Sequence, residues 1–253
     1  MLTQLIGHMQ RLGNTERAHK NASFFKTKPG EYGYADIFWG ISVPVLRKLA
    51  REYVDTVTLA DIEHLLYSKV HEQRFIGLVF LVMFYKQSKD ITQKSEYVSF
   101  YLAHAHQVNN WDLVDTSAPY ILGAYVYDIE TRATKHVQGN STLQSDVPVS
   151  IPQDILYVLA KDELLWKRRI AIVATWMLIR KGITHHTFAL AVMLLDDTHD
   201  LMHKAVGWML REAGKKDEDA LRHFLDRYNS NMPRTMLRYA IERLADRKKY
   251  LLA

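Results

Sequence analysis

From about residue 43 onward, apolar residues recur three and four positions apart, in segments of about a dozen residues separated by short polar breaks. VPVLRKLAREYV (43–54), LADIEHLLYSKV (59–70) and DALRHFLDRYN (219–229) are clear cases. Each carries one apolar stripe and one charged face, so each predicts an amphipathic helix. Pro44 suits the first turn of its helix, and Thr58 or Asp61 suits a cap before the next. Strand-like alternation is nearly absent. Eleven glycines and six prolines in 253 residues supply little punctuation for many short strands. The pattern predicts an all-α fold.

Two stretches lack this period. KTKPGEYGYADIFWG (26–40) predicts an ordered loop, over about 24–40, that joins the first helix to the body. TRATKHVQGNSTLQSDVPVSIP (131–152) is polar with two prolines and predicts an inserted surface loop.

The helical segments also repeat. LMHKAVGWML (201–210) and TMLRYAIERL (235–244) align without gaps, placing Lys204 over Arg238, a step of 34. WKRRIAIVATWM (166–177) aligns with Arg169 over Lys204, a step of 35, and EQRFIGLVFLVM (72–83) gives the same order from Arg74. A helical pair of this size cannot bury its apolar face alone, so neighbours must stack into an α-solenoid, here a single HEAT-like-repeat domain over 1–253. The starts of successive second helices then share one surface, expected to be concave and basic. It would carry Arg74, Arg169, Lys204 and Arg238, with helix-end N–H groups suited to phosphate. Arg47 and Arg168 extend the expected nucleic-acid-contacting set.

DLVDTSAPYILG (112–123) belongs to the same series but sets Asp115 where the others carry a cation. An acid there weakens phosphate binding by like-charge repulsion, so it is either compensated or kept for a purpose. Trp111 lies four residues before Asp115, on the same helical face. Asn110 suits the N-cap and Asp112 the first turn, where an acid favours the macrodipole. Trp166 lies three residues before Arg169, and Trp208 four after Lys204. Trp176 has apolar neighbours and is expected in the core, the usual place for a helical tryptophan. Trp111, beside acids and asparagines, fits the core least.

Composition narrows the chemistry. The absence of cysteine excludes disulfides, Cys-ligated zinc, iron–sulfur clusters and thiol nucleophiles. FIGLVFLVMF (75–84) is too short to span a bilayer, and MLTQLIGHMQ lacks the layout of a secretory signal, so a cytoplasmic location is the default. A formal charge of +5 favours a polyanionic partner. There is no G-x-x-x-x-G-K-[ST], G-x-G-x-x-G or H-E-x-x-H. The twelve histidines are mostly scattered, and His185–His186 are read as exposed turn residues rather than metal ligands. Neither metal nor cofactor is expected. Charge and repetition alone leave open an enzyme acting on DNA, a non-catalytic binder of damaged or branched DNA, and a protein-binding scaffold.

NNWDLVDTSAPYILG, LLWKRRIAIVATWM, HKAVGWMLREAGK, MPRTMLRYAIERL and PGEYGYADIFWGISVPVLRKLA, in this order, make the chain resemble a bacterial family from about residue 24 to 245. These are the HEAT-like-repeat DNA alkylpurine glycosylases, the AlkD-type DNA alkylation repair proteins. The resemblance maps a catalytic aspartate onto Asp115 after Trp111. It maps an active-site arginine onto Arg169 after Trp166 and a second active-site tryptophan onto Trp208. It implies hydrolysis of the N-glycosidic bond of cationic N3- and N7-alkylated purines in duplex DNA, without a base-recognition pocket. No lysine occupies the mapped cluster as a Schiff-base nucleophile, so a monofunctional enzyme without lyase activity is expected, monomeric, in the bacterial cytoplasm and nucleoid-associated when bound to DNA. The 131–152 insertion departs from the family pattern.

Overall fold

The computed structural model describes residues 1–137 and 151–251, and among them the chain is all-helical. It divides into two compact units, Met1–Ser117 and Ala118–Ala253. The first holds α1 (Leu2–Arg11), α2 (Thr15–Phe24), α3 (Val43–Tyr53), α4 (Leu59–Leu66), α5 (His71–Gln87), α6 (Ile91–Ala103) and α7 (Trp111–Ser117). The second begins with a wide π-helical turn, Pro119–Gly123. It continues through α8 (Ala124–Val137), α9 (Ile155–Ala160), α10 (Leu165–Arg180), α11 (His185–Met193), α12 (Asp200–Gly214), α13 (Glu218–Tyr228), α14 (Arg234–Ala240) and α15 (Lys248–Leu251). An isolated bridge between Ile37 and Val70 takes the place of any sheet among the described residues.

The helices start where the local chemistry directs. Pro44 sits in the first turn of α3, where its missing N–H costs nothing. Thr58 and Asp61 are both used, as the two partners of a capping box on α4 worth about 1 kcal/mol. Each unit then builds a row of inner helices. In the first, α5 packs against α3 and α7, with α4 and α6 beside it. In the second, α10 packs on α12 and α12 on α14, with α9, α11 and α13 alongside. Inner helices lose the one-sided pattern because they are covered all round. His71 through Val82 are all buried in α5, whereas α3 buries only Leu46, Leu49 and Ala50.

Two expectations require correction. Residues 131–137 continue α8 as regular helix, so the polar run is not a loop from its start. Its Thr131 hydroxyl bonds back to the Tyr127 carbonyl at 2.7 Å, which satisfies a polar side chain within the helix. The rest of that predicted insertion, 138–150, lies outside the described residues. Trp176 is only half-buried: its ring meets Tyr120 edge-on and has the Arg180 guanidinium 4.9 Å from its centroid. Apolar neighbours in sequence did not place its own face inward.

The close contact of α12 with α14 depends on Gly207. A Cβ there would come 2.5 Å from the Met236 carbonyl oxygen and 2.6 Å from the Tyr239 Cβ. Gly207→Ala is therefore expected to cost about 2–3 kcal/mol through overpacking and to lower Tm by roughly 5–10 °C. A melting curve that coincides with the parent's would contradict that packing.

Candidate nucleic-acid interface and catalytic residues

The repeat alignment carries over into helix position. Arg74 is the fourth residue of α5, and Asp115, Arg169, Lys204 and Arg238 are the fifth residues of α7, α10, α12 and α14. These five helices belong to the inner rows of their units. Equivalent position does not mean equivalent exposure, and each unit has to be taken by itself.

In the first unit, α7 begins at Trp111 with Asn110 as its preceding residue, whose side-chain oxygen accepts from the Trp111 amide at 2.8 Å. Trp111 and Asp115 are both half-buried, one turn apart. The Trp111 ring stacks on Phe25 at 5.2 Å and meets Phe24 edge-on at 5.8 Å, while its indole N–H donates to the Tyr32 hydroxyl at 3.3 Å. These contacts fix the ring before any ligand arrives. Behind α7, the Tyr101 hydroxyl is pushed well above its usual range by burial; its hydrogen bond to Ser117 opposes the shift and the Asp115 charge adds to it. Arg47, exposed on α3, donates to the Thr116 hydroxyl at 3.2 Å, one residue beyond Asp115. Lys86 is lowered by burial and then by the charge of Arg47, so cations gather on this flank.

Arg74 is not displayed as a phosphate contact. It is buried at 2% exposure, its guanidinium 2.6 Å from Asp36 and donating to the Ser68 carbonyl at 2.8 Å. Asp36 also binds His71 Nδ1 at 3.1 Å, and His71 Nε2 reaches Asp112 at 2.8 Å. Burial opposes a charge on His71, but the hydrogen bonds to Asp112 and Asp36 outweigh it and push its pKa up to about 9. Burial likewise opposes ionisation of Asp36, yet the bond to His71 and the Arg74 charge hold its carboxyl below the usual value. Asp112 therefore does more than favour a helix start. It ties α7 to α5 through a buried imidazolium.

Next to this network, Glu72 accepts from the backbone amides of Trp39, Gly40 and Ile41 at 3.0, 2.8 and 3.3 Å. That clamp holds the irregular segment after α2 in place. Gly40 is required in it: φ is +74°, and a Cβ would meet the Asn14 carbonyl oxygen at 2.2 Å. A cavity of about 280 Å³ opens between α2 and α3, lined by Phe24, Phe25, Phe38 and Phe75 together with His71 and Asp112. Sequence inspection missed His71, Asp36, Glu72 and Tyr32. Asp36 and Asp112 lie 35 and 41 residues from His71, and no spacing rule links them.

In the second unit, Arg169 is buried at 5% exposure and donates to the Leu201 carbonyl at 2.7 Å. Arg168 is committed to the fold: it binds Asp197 at 2.6 Å and donates to the carbonyls of Asp162 and Glu163. Lys204 is half-buried and pairs with Asp200 at 2.7 Å, Trp208 is half-buried, and Arg238 is exposed. No helix among the described residues is long and apolar enough to cross a membrane.

The inner helices α5, α10, α12 and α14 thus carry a cation at the fourth or fifth position, and α7 sets the Trp111–Asp115 pair in that place. The comparison with known families makes this specific. The model of the DNA alkylation repair enzyme family matches residues 5–244, and the chain belongs to that family. A solved structure of a predicted DNA alkylation repair enzyme from Enterococcus faecalis aligns with a TM-score of 0.67 and 17% identity. The alignment covers 92% of this chain and 97% of that one. At that identity the likeness concerns the fold. No curated protein matches the chain.

Proposed function

We propose that the protein is a monofunctional DNA glycosylase that releases cationic N3- and N7-alkylated purines from duplex DNA. The observation that carries this reading is Asp115 itself, a half-buried carboxylate at the helix position where the other repeats hold a cation, one turn from a pre-positioned Trp111. Membership of a DNA alkylation repair family supports it.

The chemistry suits that residue. An N3- or N7-alkylated purine already carries positive charge and leaves as a neutral molecule, so it needs no strong general acid. Positive charge builds instead on the sugar as the glycosidic bond breaks. A carboxylate close to the sugar stabilises that charge and can orient or deprotonate the attacking water. Ring faces of Trp111 and Trp208 attract the same charge. Arg169, held below the surface by the Leu201 carbonyl, offsets the cost of bringing Asp115 near phosphates rather than gripping a phosphate itself. Double-stranded DNA is then held through basic side chains near the helix starts of each unit, with the base reached without a dedicated pocket.

Release of 7-methylguanine or 3-methyladenine from methylated duplex DNA tests the reaction, and no release by the wild-type protein would overturn it in favour of a non-catalytic binder. Binding has its own check. With Arg47, Lys204 and Arg238 on phosphates, duplex affinity should fall roughly forty-fold between about 50 and 200 mM salt. A flat salt dependence would point to a protein-binding scaffold instead.

A further inference from the structure

Away from the residues assigned to DNA chemistry, the second unit brings Glu130, His185 and His186 together. One ligand atom from each lies within 4.8 Å of the others. Glu130 comes from α8, and the two histidines are the first two residues of α11. Adjacent helical side chains ordinarily diverge by about 100° around the axis, yet these two imidazoles have centroids 4.1 Å apart. His186 Nε2 lies 2.5 Å from Glu130 Oε1, and its Nδ1 lies 2.8 Å from the Tyr157 hydroxyl.

We propose that Glu130, His185 and His186 form a binding site for a divalent first-row transition ion of the zinc type. Two imidazoles and one carboxylate are a ligand set such ions favour, and three protein ligands leave room for water at a fourth position. Tyr157 supplies an independent indication. A metal-bound imidazole commonly fixes its tautomer by bonding its remote nitrogen to an oxygen, and the Tyr157 hydroxyl already occupies that place on His186 Nδ1. Nε2 is then the coordinating atom, and the ion replaces the proton shared with Glu130. Metal–donor bonds of about 2.0–2.2 Å require donors about 3.3 Å apart, so Glu130 and His186, 2.5 Å apart, open slightly to admit the ion. The positive end of α11 opposes a cation, which makes the Glu130 charge the decisive ligand. Such an ion joins α8 to α11 across Tyr157 on α9, and its place is structural rather than catalytic. This site does not depend on the glycosylase reading.

Titration of untagged, metal-free protein with Zn²⁺, followed by calorimetry and melting, tests the site, with Co²⁺ as a spectroscopic probe. We expect one equivalent bound at micromolar affinity, a Tm rise of roughly 5 °C at about 100-fold excess over Kd, and a Co²⁺ visible absorption band. Glu130→Gln and His186→Asn, which keep hydrogen-bonding side chains, should each weaken binding at least tenfold, and His185→Asn similarly. No saturable Zn²⁺ binding, or equal binding by all three variants and the parent, would overturn the proposal. Base release is expected to survive chelation unchanged, so failure here leaves the glycosylase reading standing and is distinguishable from it.

Discussion

Asp115→Asn should reduce base release from methylated duplex by at least about 10²–10³-fold while duplex affinity stays the same or rises. The substitution is nearly isosteric, and what it removes is the negative charge. In the proposed reaction that charge acts on the sugar only as the bond breaks, so its loss lowers the rate constant under saturating enzyme rather than binding. Affinity has a separate reason to increase, because a carboxylate near phosphates repels them. A merely structural Asp115 predicts a different result. The variant would then melt earlier and lose binding and release together. Single-turnover release measured beside melting and duplex affinity separates the two, and unaltered release by a folded variant would remove Asp115 from the mechanism. Trp111→Phe is the milder companion. It keeps the stack on Phe25 but loses the bond to Tyr32, so release should fall several-fold with little change in affinity.

The helical rows were legible in the sequence because apolar spacing and a 34- to 35-residue step record burial directly. The helix-start positions of Arg74, Asp115, Arg169, Lys204 and Arg238 followed from the same alignment. What alignment cannot record is the depth at which a side chain ends. Arg74 and Arg238 look alike in sequence, yet one is sealed against Asp36 and the other is exposed. The difference originates in residues 25–40, an aperiodic stretch that delivers Asp36 and Tyr32 to α5 and α7. Asp112 is the first-turn acid that its place in the sequence predicts, but no local spacing announces its partner, since His71 reaches it from another helix. Arg168 shows the same limit: its neighbour Arg169 follows the repeat, while its own partner, Asp197, comes from the chain between α11 and α12.

The buried set of Asp36, His71, Arg74 and Asp112 leads to the second large expected effect, a stability that depends on pH from both sides. His71 has a pKa of about 9 when folded against 6.5 as an ordinary value. The contribution of a raised group is complete below the unfolded pKa and is lost as pH rises through the folded one. Wild-type stability should therefore fall by about 3 kcal/mol between roughly pH 6.5 and 9.5. Asp36 has the opposite sign: its lowered pKa stabilises above the ordinary 3.8 and is lost as pH falls below it. His71→Gln, which retains hydrogen-bonding capacity, should flatten the alkaline limb in denaturant titrations, and an unchanged alkaline slope would assign that limb elsewhere. Asp36→Asn should be costlier at neutral pH, about 3–5 kcal/mol, because it leaves Arg74 and the His71 imidazolium buried without their shared counter-charge. Phe25 packs against His71 and stacks on Trp111, so the loss reaches α7 as well as the core. Base release by that variant should therefore decline even where the protein remains folded, whereas Gly207→Ala, which loosens only α12 against α14, should leave the Trp111 surroundings intact.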